Sequence, residues 1–85
     1  MEIDLFEKAQ RDFEFWKKSG NRIVQKEIQQ LFHDTKQHPF EGIGKPEALK
    51  YELSGKWSRR IDNEHRIIYD VADDTINVYS LRGHY

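Results

Sequence analysis

The sequence predicts an α+β domain in which a two-helix hairpin packs on one face of a four- to five-stranded, mainly antiparallel sheet, in the order β-α-α-β-β-β-β. Apolar residues recur at helical spacing in the first half, and short β-type runs with tight turns fill the second half. The length of 85 residues suffices for one small domain. No repeat or linker divides the chain, so residues 1–85 are predicted to form a single domain.

Two amphipathic helices are predicted in the first half. Apolar residues recur every three or four positions from about residue 7 to 18 and again from residue 24 to 32. Between these segments, Gly20 is typical of a helix end and Asn21 of a helix start. Pro39 ends the second helix, because the residue before a proline disfavours the helical conformation. The two helices therefore form a hairpin.

Short strands are predicted to follow. The β-type runs occupy residues 49–53, 57–61, 66–71 and 76–81, and residues 3–5 are a candidate fifth strand. The turns between the four runs are too short for parallel crossovers, so these strands form an antiparallel meander. Each helix has one apolar stripe to bury, so the helical pair covers one sheet face and leaves the other to solvent or a partner.

The composition excludes several classes of protein. The chain has no cysteine, which excludes a disulfide framework, a thiolate zinc site and a cysteine nucleophile. No apolar run approaches the ~20 residues that span a bilayer. The first four residues lack the basic and apolar regions of a signal peptide. We therefore expect a cytoplasmic protein with no membrane partner.

The charges are unevenly distributed although the net charge is only −1. Residues 1–43 hold 7 basic and 8 acidic side chains, residues 44–69 hold 6 and 4, and residues 70–85 hold 1 and 3. Cations near aromatic side chains suit single-stranded RNA, since cations meet phosphates and rings stack on bases. The alternative is an ordinary solvated surface. The cations of the middle block are Lys45, Lys50, Lys56, Arg59, Arg60 and Arg66.

Other motifs are not expected to carry chemistry. Gly44-Lys45 lacks the first glycine and the final Ser or Thr of a phosphate-binding loop. His33 and His38 are interpreted as surface histidines, because no set of four ligands accompanies them. No serine occupies a strand-to-helix elbow. We therefore expect neither a metal nor another cofactor.

Longer motifs are more specific. In order along the chain stand GKPEALK at residues 44–50, LSGKWSRRI at 53–61, EHRIIY at 64–69 and HY at 84–85. With these motifs the chain resembles, essentially from end to end, the YoeB (Txe/YoeB) toxins of the RelE/ParE superfamily. The fold of that family, two helices on an antiparallel sheet, agrees with the RelE-like order predicted from periodicity.

The resemblance implies a toxin of a type II toxin–antitoxin system, a ribosome-dependent endoribonuclease that cuts mRNA in the A site and so inhibits translation. It implies a YefM-like antitoxin, contact with operator DNA only through the antitoxin complex, and a homodimer as a further state. The catalytic positions of the family fall on Glu47, Arg66, His84 and Tyr85. Further matching positions, around the substrate or supporting the site, are Lys50, Arg60 and Glu64.

The chemistry can also be argued from the residues. RNA carries its own nucleophile, so a metal-free nuclease needs a base, cations for the phosphorane and an acid. Glu47 is the candidate base, with Glu64 as its rival, and Arg66 is the candidate cation. His84 is the candidate acid because an imidazole has an ordinary pKa of about 6.5. Tyr85 could stack on a base or orient phosphate. The plain alternatives are exposed charges and a frayed terminus.

Two other functions stay open at this level. A ParE-like toxin would share the fold but act on gyrase and DNA. A non-catalytic regulator would use the basic face to bind an acidic antitoxin segment and, as a complex, operator DNA.

Overall fold

The computed structural model describes residues 1–83, and over that range it contains two α-helices and five strands. The helices are α1 (Glu7–Ser19) and α2 (Arg22–Gln37), and the strands are β1 (Glu2–Leu5), β2 (Glu47–Ala48), β3 (Trp57–Arg60), β4 (Arg66–Ala72) and β5 (Thr75–Ser80). The predicted α+β class and the predicted element order are confirmed.

The strands form one sheet in the order β1-β5-β4-β3-β2. Strands β2 to β5 pair as an antiparallel meander. The candidate fifth strand, β1, joins the far edge and pairs parallel with β5, so that Ile3 lies opposite Ile76. The sheet is therefore mixed, and its antiparallel part is the part that the short turns predicted.

The helical hairpin is built as the sequence predicts. Gly20 adopts a left-handed conformation with φ of 73° at the end of α1. The side chain of Asn21 then accepts a hydrogen bond of 3.1 Å from the Val24 N–H and caps α2. Both helices pack on the same sheet face, where Trp16 and Ile28 join the main core cluster. Neither helix is long and apolar enough to cross a membrane.

The predicted strand over residues 49–53 is wrong. The strand at this position is limited to Glu47–Ala48, and a turn of 3₁₀-helix follows at Tyr51–Leu53. The Leu53 N–H donates to the Lys50 carbonyl at 3.1 Å, so this backbone is satisfied locally instead of by a neighbouring strand. Tyr51 has a φ of 60°, which turns the chain out of the extended conformation.

Candidate functional site

The sheet face that points away from the helices, here called the open face, carries the predicted site residues of the meander. Glu47 lies opposite Ser58, and Ser58 lies opposite Ile68. Arg60 lies opposite Arg66 on the same two strands. Because directly opposite residues share a face and alternate residues along a strand return to it, Glu47, Arg60 and Arg66 all point to the open face.

Arg60 and Arg66 form a cross-strand pair of like charges. Such a pair is unfavourable by itself, and it raises the positive potential of the open face. The Arg60 side chain is exposed and Arg66 is half-buried. The peptide N–H of Arg66 also donates to the Gly83 carbonyl at 3.1 Å, which brings the end of the chain beside this pair.

A second group on the open face joins Lys56 to Tyr79. The Lys56 ammonium lies 4.6 Å from the centroid of the Tyr79 ring. The Tyr79 hydroxyl donates to Asp70 at 2.7 Å, and the Asn77 amide donates to the other Asp70 oxygen at 3.0 Å. Burial, together with the Asp70 carboxylate, raises the pKa of Tyr79 to about 12. At neutral pH the hydroxyl therefore stays a donor, and Lys56 is the cation of this group.

Arg59 was predicted to bind RNA, and the structure contradicts this. Its side chain is 0% exposed and lies on the helix face, one residue out of phase with Arg60. The guanidinium donates to Asp34 at 2.7 Å and to the Tyr69 hydroxyl at 3.1 Å. This hydrogen bond from Arg59 holds the pKa of Asp34 below its ordinary value of 3.8. The remaining acceptors are the carbonyls of His38, Glu41 and Ile43.

These bonds give Arg59 a different role, that of holding the loop before β2. Within this loop Gly44 has a φ of 79°, and a Cβ there would lie 2.7 Å from the Leu31 side chain. The Gly44 carbonyl accepts from the Arg60 N–H at 2.7 Å. Residue 44 must therefore be glycine, and the loop that leads to Glu47 is fixed against Arg59.

The remaining predicted cations lie at the rim of the site. Lys45 lies at the end of this loop and is exposed, and Lys50, which follows β2, is also exposed. Lys50 and Glu47 line a groove of about 380 Å³ that continues to Leu53. The structure thus brings Glu47 and Lys50 to one groove.

Glu64 lies apart from that groove, in the turn between β3 and β4. Its side chain is 77% exposed, and its carboxylate lies 3.7 Å from Nε2 of His65. The turn is fixed by Asp62, whose carboxylate accepts from the N–H groups of Glu64 and His65 at 2.8 and 2.7 Å. The structure therefore places Glu64 beside His65 and leaves its predicted role as a supporting residue or rival base a prediction.

The predicted His84 and Tyr85 lie outside the described residues, but the chain that leads to them is described. The Leu81 N–H donates to the Asp12 carboxylate at 3.0 Å, and Nε1 of Trp16 donates to the Leu81 carbonyl at 2.8 Å. Both side chains come from α1. The segment 81–83 is therefore attached to the first helix.

The sequence analysis does not identify three side chains that hold this segment. They are the Asp12 carboxylate, the Trp16 indole N–H and the His65 ring, which accepts from the Gly83 N–H. Their partners lie 69, 65 and 18 positions away along the chain, so no local spacing relates them. Of these three residues, only Asp12 is marked by a local feature of the sequence. It interrupts the apolar stripe of α1 between Ala9 and Trp16, and an acidic residue buried to 7% exposure needs a specific partner.

Comparison with known proteins shows the family and the fold of the chain. Residues 6–85 match the family described as YoeB-like toxins of bacterial type II toxin–antitoxin systems. The Toxin YoeB of Escherichia coli K12 is 47% identical over the full length of both chains. The YoeB/ParE toxin from Agrobacterium tumefaciens superposes with a TM-score of 0.95 at 37% identity, covering 100% of both chains. The YoeB–YefM complex from Staphylococcus aureus gives 0.90 at 37% identity, covering 100% of this chain and 98% of that chain. The chain therefore belongs to the YoeB family of type II toxin–antitoxin toxins.

Proposed function

We propose that this toxin is a metal-independent endoribonuclease that cuts mRNA in the ribosomal A site and thereby inhibits translation in the cytoplasm. Membership of the YoeB family supports the assignment of the chain as a toxin. The observation that carries the proposal is the strand register that brings Glu47, Arg60 and Arg66 to the open face. That face offers a carboxylate and a pair of cations in the combination that RNA cleavage requires.

The spacing of these residues suits one phosphodiester. Glu47 and Arg66 are two strands apart and two residues out of step, which corresponds to about 12 Å between their Cα atoms. Side chains that extend toward each other from these positions can both reach a phosphodiester lying between them. Glu47 takes the proton of the 2′-hydroxyl, and O2′ then attacks phosphorus.

The remaining steps use the cations and the C-terminus. Arg66, with Arg60 beside it, compensates the charge on the phosphorane oxygens. As the bond from phosphorus to O5′ breaks, His84 donates a proton to O5′, and Tyr85 orients the substrate. The products are a 2′,3′-cyclic phosphate and a 5′-hydroxyl. Rim contacts to the RNA backbone come from Lys45, Lys50 and Lys56.

The solved relatives indicate which partners this chain binds. One solved relative from S. aureus is a YoeB–YefM complex and another is a YoeB dimer. We infer that this chain binds a YefM-like antitoxin, which carries the complex to operator DNA, and that it can form a homodimer. An acidic and apolar antitoxin segment suits the cationic open face, so antitoxin and mRNA compete for the same residues.

The proposal is tested by cleavage of a translated mRNA, with the product ends identified. Glu47→Gln and His84→Gln should each lower the cleavage rate about 10²- to 10⁴-fold, the range for loss of a general base or acid. Glu2→Gln is the matched control, because it neutralises an exposed carboxylate of β1 on the far edge of the sheet. Ribosome binding should persist in all three variants.

Three results would contradict the proposal. A plain 3′-hydroxyl on the upstream product excludes attack by the 2′-hydroxyl. Loss of cleavage on addition of a chelator, at Mg²⁺ levels that keep ribosomes intact, excludes the metal-free reaction. Intact mRNA together with double-strand DNA breaks in the cell would instead support a ParE-like action on gyrase.

A further inference from the structure

The ring of His65 holds the last described residue of the chain. The Gly83 N–H donates to Nδ1 of His65 at 2.9 Å, while the Gly83 carbonyl accepts from the Arg66 N–H at 3.1 Å. The His65 side chain is 14% exposed, and its ring meets the Trp16 ring edge-on at 4.9 Å. The N–H and the carbonyl of Gly83 are therefore held by His65 and by Arg66, the first residue of β4.

This hydrogen bond requires one particular form of the imidazole. Nδ1 can accept this bond only when it carries no proton, so the contact requires the tautomer that has its proton on Nε2. Nε2 lies 3.7 Å from the Glu64 carboxylate, which favours a proton on that side. Of the described groups against the ring, Glu64 is charged, Trp16 is a neutral indole and Gly83 presents a backbone N–H. Protonation of Nδ1 would set two N–H groups against each other.

We propose that His65 is a positioning residue that directs His84 and Tyr85 into the ribonuclease site by accepting the hydrogen bond from Gly83. The inference rests on the function proposed above. His65 touches no substrate in this scheme and acts only through the chain that it holds.

The backbone conformation of Gly83 restricts the path of the chain beyond this hydrogen bond. Its φ of 89° lies in the region that favours glycine, and its N–H and carbonyl are both bonded. His84 is the next residue in the sequence. The two hydrogen bonds and the φ of Gly83 therefore restrict the direction in which the chain continues. A misplacement of a catalytic group by about 1 Å can lower a rate about 10²-fold.

The test compares three replacements at one position. Asn presents its amide oxygen close to where Nδ1 lies, whereas Gln carries its amide one methylene further out and Ala has no acceptor. We expect His65→Ala and His65→Gln to lower single-turnover cleavage of translated mRNA about 10²-fold. His65→Asn should stay within about fivefold of the unmodified chain. The control is His33→Ala, because His33 is an exposed histidine of α2 that contacts Gln37. All chains keep their native C-terminus.

A second measurement reports the contact without relying on activity. Hydrogen exchange of the Gly83 amide, followed by NMR, should be fast in His65→Ala and slow in His65→Asn.

The outcomes separate the inference from the proposed function. Fast Gly83 exchange with full cleavage in His65→Ala overturns the positioning role, and unchanged exchange in His65→Ala overturns the contact. If the Ala variant does not fold, equal rates for the Asn and Gln variants overturn the role instead. An unmodified chain that cleaves no RNA overturns the proposed function and with it the catalytic part of this inference. The Gly83 amide then still shows whether His65 holds the chain.

Discussion

The two ends of the candidate site are held in different ways. The loop support consists of Arg59 and Asp34, which fix residues 38–44 ahead of Glu47. The terminal support consists of Asp12, Trp16 and His65, which fix residues 81–83 ahead of His84. In the first, one buried guanidinium has several partners. In the second, three separate side chains each bind one backbone group.

The difference sets how each support fails. Removing one member of a buried ion pair leaves an uncompensated charge and costs several kcal/mol. A single hydrogen bond to the backbone contributes about 1 kcal/mol. We therefore expect the loop support to break only when the whole domain unfolds. The terminal support can open locally while the rest of the domain stays folded. The proposed general base Glu47 therefore follows the loop support, and the terminal support precedes the proposed general acid His84 in the sequence.

The largest effect is expected when the loop support is broken. Arg59→Met keeps much of the side-chain volume but leaves Asp34 and the loop carbonyls without their donor. We expect the free energy of unfolding to fall by about 3–5 kcal/mol, measured by urea denaturation. The matched control is the neighbouring exposed arginine, and Arg60→Met should stay within about 0.5 kcal/mol of the parent. Equal losses in both variants would contradict the assignment of Arg59 to the core.

Breaking the terminal support should cost less. Asp12→Ala removes the acceptor of the Leu81 N–H and the partner of Lys8, whose ammonium lies 2.6 Å away. We expect a loss of about 1–3 kcal/mol in unfolding free energy, together with slower RNA cleavage. Glu14→Ala is the control, because that carboxylate forms an exposed pair with Lys17 at 3.5 Å, and it should change stability by less than about 0.5 kcal/mol. A control as destabilising as Asp12→Ala would remove the special role of Asp12.

The loop support should weaken in acid. Arg59 depresses the pKa of Asp34, so the contribution of this carboxylate is present above its unfolded value of 3.8. It is lost as the pH falls through the lower native value. The stability advantage of the unmodified chain over Asp34→Asn should therefore shrink below about pH 4, by at most about 1.4 kcal/mol per pH unit. A difference that stays constant from pH 6 to pH 2 would show that Arg59 does not hold Asp34 ionised.

The smallest effect concerns the outer side of the terminal support. The guanidinium carbon of Arg82 lies 3.5 Å from the centroid of the exposed Phe15 ring. A double-mutant cycle with Arg82→Ala and Phe15→Ala should give a coupling energy of about 0.5–1 kcal/mol. A coupling of zero would mean that α1 holds the terminal segment through Asp12 and Trp16 without Arg82.

Much of the fold could be predicted because its signals are local. Helical spacing, Gly20 and Asn21 defined the hairpin, and short turns defined the meander. The run at 49–53 misled because a few apolar residues fit a strand and a 3₁₀ turn equally well, and the backbone of Lys50–Leu53 bonds to itself. The parallel pairing of β1 was not predicted in its direction, since its partner lies at the other end of the chain.

The site was less predictable because its supports are long-range. Arg59 and Arg60 are neighbours of the same chemical type, and strand alternation sends one of them to each face. Arg59 is the one that turns inward, and there it meets Asp34, 25 positions away along the chain. Asp34 gave no signal as a partner, since it sits among polar residues at the end of α2. Glu47 and Arg66 could be identified because the motifs around them are long. That they share one face of the sheet could be established only from the strand register.

The position of β1 has a consequence for the life of the newly made chain. Glu2 pairs with Thr75 and Leu5 with Val78, and β5 also separates β1 from β4. Synthesis runs from the N-terminus, so the first strand must wait unpaired until nearly nine-tenths of the chain exist. The complete sheet, with β1 at its edge, therefore forms only after β5 has been made.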